Sequence, residues 1–108
     1  MQFIEKIHQV IEENLDNSDF NIDTIASTIG LSRSAFFKKL KSLTGFAPVD
    51  LVKEIRLNKS IELIKNSDMS ISEIAFAVGF KDSGYFSKCF RKKYDQTPRE
   101  YMNEWRKG

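Results

Sequence analysis

Apolar residues recur along this chain at helical spacing, and the breaks between the periodic stretches fall at Gly, Pro and small polar residues. Phe3, Ile4, Ile7, Val10, Ile11 and Leu15 make one face of a first helix that ends near Asn17. Asn21 is the expected cap of a second helix, in which Ile22, Ile25, Ala26 and Ile29 precede a stop at Gly30. Ser32 caps a third, Phe36, Leu40 and Leu43 point inward at spacings of four and three, and Gly45 ends it. Pro48 suits the first turn of a helix, where its missing N–H is no loss. The segment that follows has no Gly or Pro to about Lys65, and Leu51, Val52, Ile55, Leu57, Ile61, Leu63 and Ile64 wrap around more than one of its faces, so it must be covered on several sides. Ser70 with Glu73, and Thr97 with Glu100 beside Pro98, are capping boxes that open two later helices. Between them Ile71, Ile74, Ala75 and Val78 lead to Gly79, Asp82 caps the next helix, and Phe86, Cys89 and Phe90 share its inner face. Tyr101, Met102 and Trp105 give the last helix an apolar side that should seal the second half. The pattern predicts an all-α domain over residues 1–108 with two lobes.

The two lobes are copies of one module. Asn21, Ile22, Ile25, Ala26, Ile29 and Gly30 stand forty-nine residues before Ser70, Ile71, Ile74, Ala75, Val78 and Gly79. Beyond the turn the offset is fifty, pairing Ser32 with Asp82, Phe36 with Phe86, Leu40 with Phe90, Pro48 with Pro98 and Leu51 with Tyr101, so the second turn holds one extra residue. A glycine after a helix can turn left-handed and reverse the chain within a few residues, which makes each copy a helix-turn-helix unit, over about 21–45 and about 70–94. The helix between them, about 48–66, acts as a strut, and a final helix covers about 98–106. Roughly seventeen residues at 1.5 Å each span about 25 Å, near the scale of one duplex turn, about 34 Å, once the flanking modules are added. Two copies are too few for a solenoid.

Charge gives the modules a direction. The net charge of +2 conceals a segregation: residues 1–30 carry Lys6 against six acids, whereas 32–44 carry Arg33, Lys38, Lys39 and Lys41 with no acid. Residues 81–93 carry Lys81, Lys88, Arg91, Lys92 and Lys93 against Asp82 alone. Both basic segments are the second helices of their units, and such polarity favours an oriented approach to a polyanion. Other functions lack their chemistry here. Cys89 is the only cysteine, which excludes an intrachain disulfide and a multi-cysteine zinc site, and His8 has no partner. No nucleophile-base-acid set, paired-carboxylate cleft, phosphate-cradling glycine loop or metal-ligand group is visible, so an enzyme is not expected. No signal peptide or membrane-length apolar run is read, and a cytoplasmic domain without membrane contact is expected. Phe36 and Phe86 read as core rather than as base-stacking rings.

Gly30-Leu31-Ser32-Arg33-Ser34, Ile55-Arg56-Leu57, Ser70-Ile71-Ser72-Glu73-Ile74-Ala75, Gly79-Phe80-Lys81-Asp82 and Thr97-Pro98-Arg99-Glu100-Tyr101 together resemble the DNA-binding domain of the AraC/XylS family of transcription regulators. The wording FFKKLKSLTGFAP and YFSKCFRKKYDQTP is similar to the version that ends hybrid two-component sensor-regulators, which implies sensor and dimerisation regions in a larger chain; a free-standing short regulator is the competing reading. The resemblance implies seven helices, two helix-turn-helix units joined by a long central helix, and a recognition helix of each unit in the major groove of double-stranded DNA. Carried over by position, it implies Ser34, Phe37 and Lys38 as base-facing in the first unit, and Ser83, Gly84, Ser87 and Lys88 in the second. Lys can donate to guanine and Ser to several base edges. Phe37 has two readings, a ring on a thymine methyl or a ring packed against the strut, and Gly84 offers no side chain to read with. Arg33, Lys39, Lys41, Lys81, Tyr85, Arg91 and Lys92 are assigned to phosphates, which fix register without reading sequence. Asp95 stands where the first copy has Gly45, and Asp tolerates the left-handed conformation that stops the helix.

The expected function is sequence-specific DNA binding in transcription, as an activator that contacts RNA polymerase, on an asymmetric site in successive major grooves. The alternative is a helical protein-interaction module whose basic face meets an acidic partner. That alternative explains the charge but not the duplicated turn.

Overall fold

The structure is a computed structural model that describes residues 3–17 and 22–106. The expected cap at Asn21 lies outside the described residues. Seven helices and no strands occur among the described residues: α1 Phe3–Glu13, α2 Ile22–Ile29, α3 Arg33–Thr44, α4 Pro48–Asn66, α5 Ile71–Ala77, α6 Ser83–Tyr94 and α7 Pro98–Trp105. The chain divides into two compact units, Met1–Leu15 with Asp19–Ile55, and Asp16–Ser18 with Arg56–Gly108. The division falls within α4. No helix among the described residues is long and apolar enough to cross a membrane.

In the first unit α1 packs on α2 and α2 on α3. Ile7, Ile11, Ile25, Phe36 and Leu40 are buried there, as the spacing predicts, and the ring of Phe3 meets that of Phe36 at 6.2 Å. Each such side chain removed from water stabilises the fold by about 1.5–3 kcal/mol. Two expectations fail. α1 ends at Glu13 rather than near Asn17, because Asn14 Nδ2 donates to Val10 O at 2.9 Å while the backbone N–H groups of Asn14 and Leu15 donate three residues back, to Ile11 O and Glu12 O. That tighter turn still buries Leu15. Leu43 keeps the angular position of Phe36 and Leu40 but sits in the last turn of α3 and is 58% exposed.

In the second unit α5 packs on α6 and α6 on α7. Its core is a run of rings: Phe80 lies 5.2 Å from Phe86, Phe86 lies 5.8 Å from Phe90, and Phe90 also meets Tyr94 at 4.6 Å and Tyr101 at 5.8 Å. Tilted and edge-on pairs at these separations add to the burial itself. Cys89 is buried and unpaired. Trp105 is not part of the seal expected of it; it is 53% exposed and carries the Lys65 ammonium 4.3 Å above its ring. The buried Ser60 hydroxyl donates to Leu57 O at 2.6 Å.

The turns repeat in atomic detail. Gly30 and Gly79 have φ of 85° and 95°. After α2, Gly30 N–H donates to Ser27 O and Leu31 N–H to Ala26 O; after α5, Gly79 N–H donates to Phe76 O and Phe80 N–H to Ala75 O. This is the paired helix-ending arrangement that left-handed glycine permits. The second helix of each unit then starts on a cap, Ser32 Oγ accepting from Ala35 N–H and Asp82 Oδ1 from Gly84 N–H. Both second helices also stop alike: Gly45 at φ 80° donates to Lys41 O, and Asp95 at φ 61° donates to Arg91 O.

Two arginines tie the second unit together without any signal in the periodicity. Arg56 on α4 donates to Gly79 O at 3.1 Å and to Asn17 O at 3.3 Å, and burial lowers its pKa from the ordinary value. Arg106, just after α7, donates to Ile64 O at 3.1 Å and Met69 O at 2.7 Å, satisfying a carbonyl that the end of α4 leaves open.

A methyl group placed on Gly30 would meet nothing within 4 Å, so Gly30→Ala isolates the backbone penalty and should cost about 1–2 kcal/mol in urea unfolding. Asp95→Gly relieves the same penalty and removes a carboxylate from the negative end of α6, and should raise stability by up to about 1 kcal/mol. Loss of stability in Asp95→Gly would contradict the left-handed cap.

Glu73 and Glu100 have pKa values below the ordinary carboxylate value, first because the backbone N–H of Ser70 and of Thr97 donates to them. A lowered folded pKa means that this contribution is complete above the unfolded pKa and lost as pH falls through the folded one. The Glu73→Gln/Glu100→Gln variant should therefore show a shallower acid loss of stability below about pH 4 than the wild type, read by thermal melts across pH; parallel acid limbs would contradict it.

Candidate nucleic-acid interface

α3 and α6 are amphipathic in the same register. Phe36 and Leu40 face the first core, Phe86, Cys89 and Phe90 the second, and the opposite stripes reach the surface. On α3 the outer stripe is Arg33, Ser34, Phe37, Lys38 and Lys41, all exposed. Positions three and four apart on a helix share a face. Arg33, Ser34, Phe37 and Lys38 line one open depression of about 410 Å³. Phe37 is 47% exposed in it, so the ring is available to a ligand rather than covered by core. Arg33 Nη1 lies 3.4 Å from Asp23 Oδ2 of α2, with both side chains more than half exposed. Lys39 stands off the stripe with its ammonium 4.5 Å from the Phe3 ring centre.

The equivalent stripe on α6, fifty residues on, is Ser83, Gly84, Ser87, Lys88 and Arg91. Gly84 and Lys88 are exposed, Ser83 and Ser87 half-buried. A Cβ on Gly84 would come no closer than 3.4 Å to any atom, that atom being Asp82 Oδ1, so a side chain would fit there. Arg91 on the stripe is exposed, as are Lys81, Tyr85 and Lys92 around it, and Tyr85 leans on Phe80 at 6.0 Å. Lys93 is held at the surface by a neighbour instead: its ammonium and the Tyr94 hydroxyl both donate to Asn58 Oδ1 at 3.0 Å.

The structure thus brings Ser34, Phe37 and Lys38 together with Arg33 on one helix face, and Ser83, Gly84, Ser87 and Lys88 on another. It keeps Lys39 and Lys93 on aromatic or polar neighbours of their own unit. Asp23 lies ten residues from Arg33 across a turn, and no periodicity links a first-turn acid of one helix to the first residue of the next. The faces can offer cations, hydroxyls and one apolar ring to a polyanion with readable edges. The acidic positions Glu5, Glu12, Glu13 and Asp16 are exposed on or beside α1. Among the described residues no group of three or more His, Cys, Asp or Glu could hold a metal ion.

A protein-family model described as a helix-turn-helix domain matches residues 25–104. The chain is 38% identical over 104 residues to histidine kinase P4 of Formosa agariphila, which covers 96% of this chain and 8% of that protein. The chain therefore spans less than a tenth of the length of that relative. The C-terminal domain of the two-component response regulator yesN from Fusobacterium nucleatum superposes with a TM-score of 0.83 at 30% identity, over 92% of this chain and 96% of that one. The DNA-binding domain of the global transcriptional factor AdpA, solved in complex with a target DNA, superposes with a TM-score of 0.86 at 28% identity, over 96% of this chain and 92% of that one.

Proposed function

Because the chain belongs to the AraC-type helix-turn-helix family of DNA-binding transcription regulators, we propose that it reads a specific double-stranded DNA sequence with α3 and α6, each laid in one of two successive major grooves. One observation carries this function: an exposed stripe with a lysine at the same place, Lys38 and Lys88, occurs on the second helix of both units, while the opposite faces are buried. Ser34, Phe37 and Lys38 read base edges in one groove, and Ser83, Ser87 and Lys88 in the other, where Gly84 leaves a gap in the reading surface. Lys39, Lys41, Lys81, Tyr85, Arg91 and Lys92 hold phosphates. Lys39 must leave the Phe3 ring to do so. The two stripes differ in every position but the lysine, so the site is asymmetric.

The similarity to a histidine kinase and to a response-regulator domain supports a place at the output end of a two-component protein in the cytoplasm, with sensor and dimerisation regions in the rest of a longer chain. The domain acts as an activator that touches RNA polymerase. Its acidic α1 face, repelled by DNA, suits a protein rather than a nucleic-acid neighbour.

Lys38→Ala and Lys88→Ala should each relax base preference at one position and cost about 1–3 kcal/mol on the preferred duplex. Lys41→Ala should weaken preferred and scrambled duplexes alike and lower the slope of log K against log salt by about one. Fluorescence anisotropy across a salt series measures all three; a uniform loss in every variant would mean that the reading residues are misassigned, and binding to neither duplex at low salt would favour an acidic protein partner instead.

A further inference from the structure

Sequence position alone assigns Arg33 to a phosphate, but its surroundings suit another ligand. Its Nη1 lies 3.4 Å from Asp23 Oδ2, and its side chain lines the depression that Ser34, Phe37 and Lys38 also line. A guanidinium whose charge is matched by an adjacent carboxylate is a poorer partner for a phosphate than an unpaired one, because the phosphate also faces the negative charge of Asp23. A neutral base edge meets no such repulsion. The carboxylate occupies one part of the five-donor fork and leaves the other donors for two acceptors side by side, the arrangement of guanine O6 and N7. Arg33 is also the first residue of α3, and residues at the N-terminal end of a recognition helix are those that reach base edges.

The duplication supplies an internal control. Asp23 and Arg33 correspond, by the offsets of forty-nine and fifty, to Ser72 and Ser83 in the second unit, which forms the same glycine turn with no charge at either place. The pair is therefore not a requirement of the turn. Nor is it a strong staple: the two side chains are 71% and 61% exposed, and pairs so exposed contribute little to stability.

We propose that Arg33 is a guanine-reading residue of the first unit and that Asp23 is its positioning residue, an inference that rests on the DNA-reading function above. The test is selection from a random duplex library with the 108-residue chain and its Arg33→Ala, Arg33→Lys and Asp23→Asn variants, with circular dichroism to establish that each is folded. The wild type should enrich a guanine within the block that Lys38→Ala also alters. Arg33→Ala should lose about 5- to 150-fold of preference at that guanine and leave the second block unchanged. Arg33→Lys, a point charge without the fork, should lose most of it. Asp23→Asn should bind DNA as well or better overall, since a negative charge is gone, yet discriminate less at the same base. An Arg33→Ala protein that weakens on every sequence alike and keeps the wild-type motif would overturn the assignment in favour of a phosphate contact. An Asp23→Asn protein with unaltered preference would overturn the positioning role. If the wild type enriched no motif, the DNA-reading function itself would fall and this inference with it, a result distinct from either variant failing alone.

Discussion

The constraint on which both units depend is the left-handed glycine that closes the first helix of each. Gly30 and Gly79 accept a φ that a side chain would resist, and that φ lets two successive N–H groups turn back onto the helix they follow. The direction of the next helix is then set within two or three residues. Ser32 and Asp82 are in place to start it, and because the start is fixed, so is its rotation: Phe36 and Phe86 go inward, Lys38 and Lys88 outward. Moving either cap by one residue would rotate the following helix by about 100° relative to its core. In the second unit Arg56 binds the carbonyl of Gly79 itself, so the long helix holds the turn by its backbone rather than by a side chain.

Duplication lets shared and divergent features be separated within one chain. The glycine turns, the caps, the buried Phe of each second helix and the left-handed stop at Gly45 and Asp95 are shared, and all of them serve folding. The outer stripes diverge almost completely: Arg33, Ser34 and Phe37 on one side, Ser83, Gly84 and Ser87 on the other. The cores of the two copies stay apolar while their outer stripes change in chemistry, as two readers of different base sequences on one scaffold would require.

Much of the fold was legible because its signals are local. Ser70 with Glu73, and Thr97 with Glu100, announce capping boxes within four residues, and the structure forms both in full. Apolar spacing found the core of α3 and α6, and the loss of a single dominant face found that α4 is covered on more than one side. What the sequence concealed depends on distance in space. Leu43 and Trp105 have core-like spacing, yet both are exposed. Arg56 and Arg106 act on carbonyls 23 to 43 residues away, and nothing in a window of one helix points to those partners. In the candidate site, spacing found the outer faces, resemblance to a family suggested the roles, and the Asp23 pair with Arg33 became visible only once α2 and α3 were in contact.

The central claim is that the second helix of each unit meets the same DNA molecule. A titration of the uniformly nitrogen-15-labelled chain with a selected duplex, followed by amide chemical shifts, tests it directly. The account predicts that amides of α3 and α6 shift together at the same DNA ratio while those along the acidic face of α1 stay in place. Shifts limited to one of the two helices, or centred on α1, would contradict it.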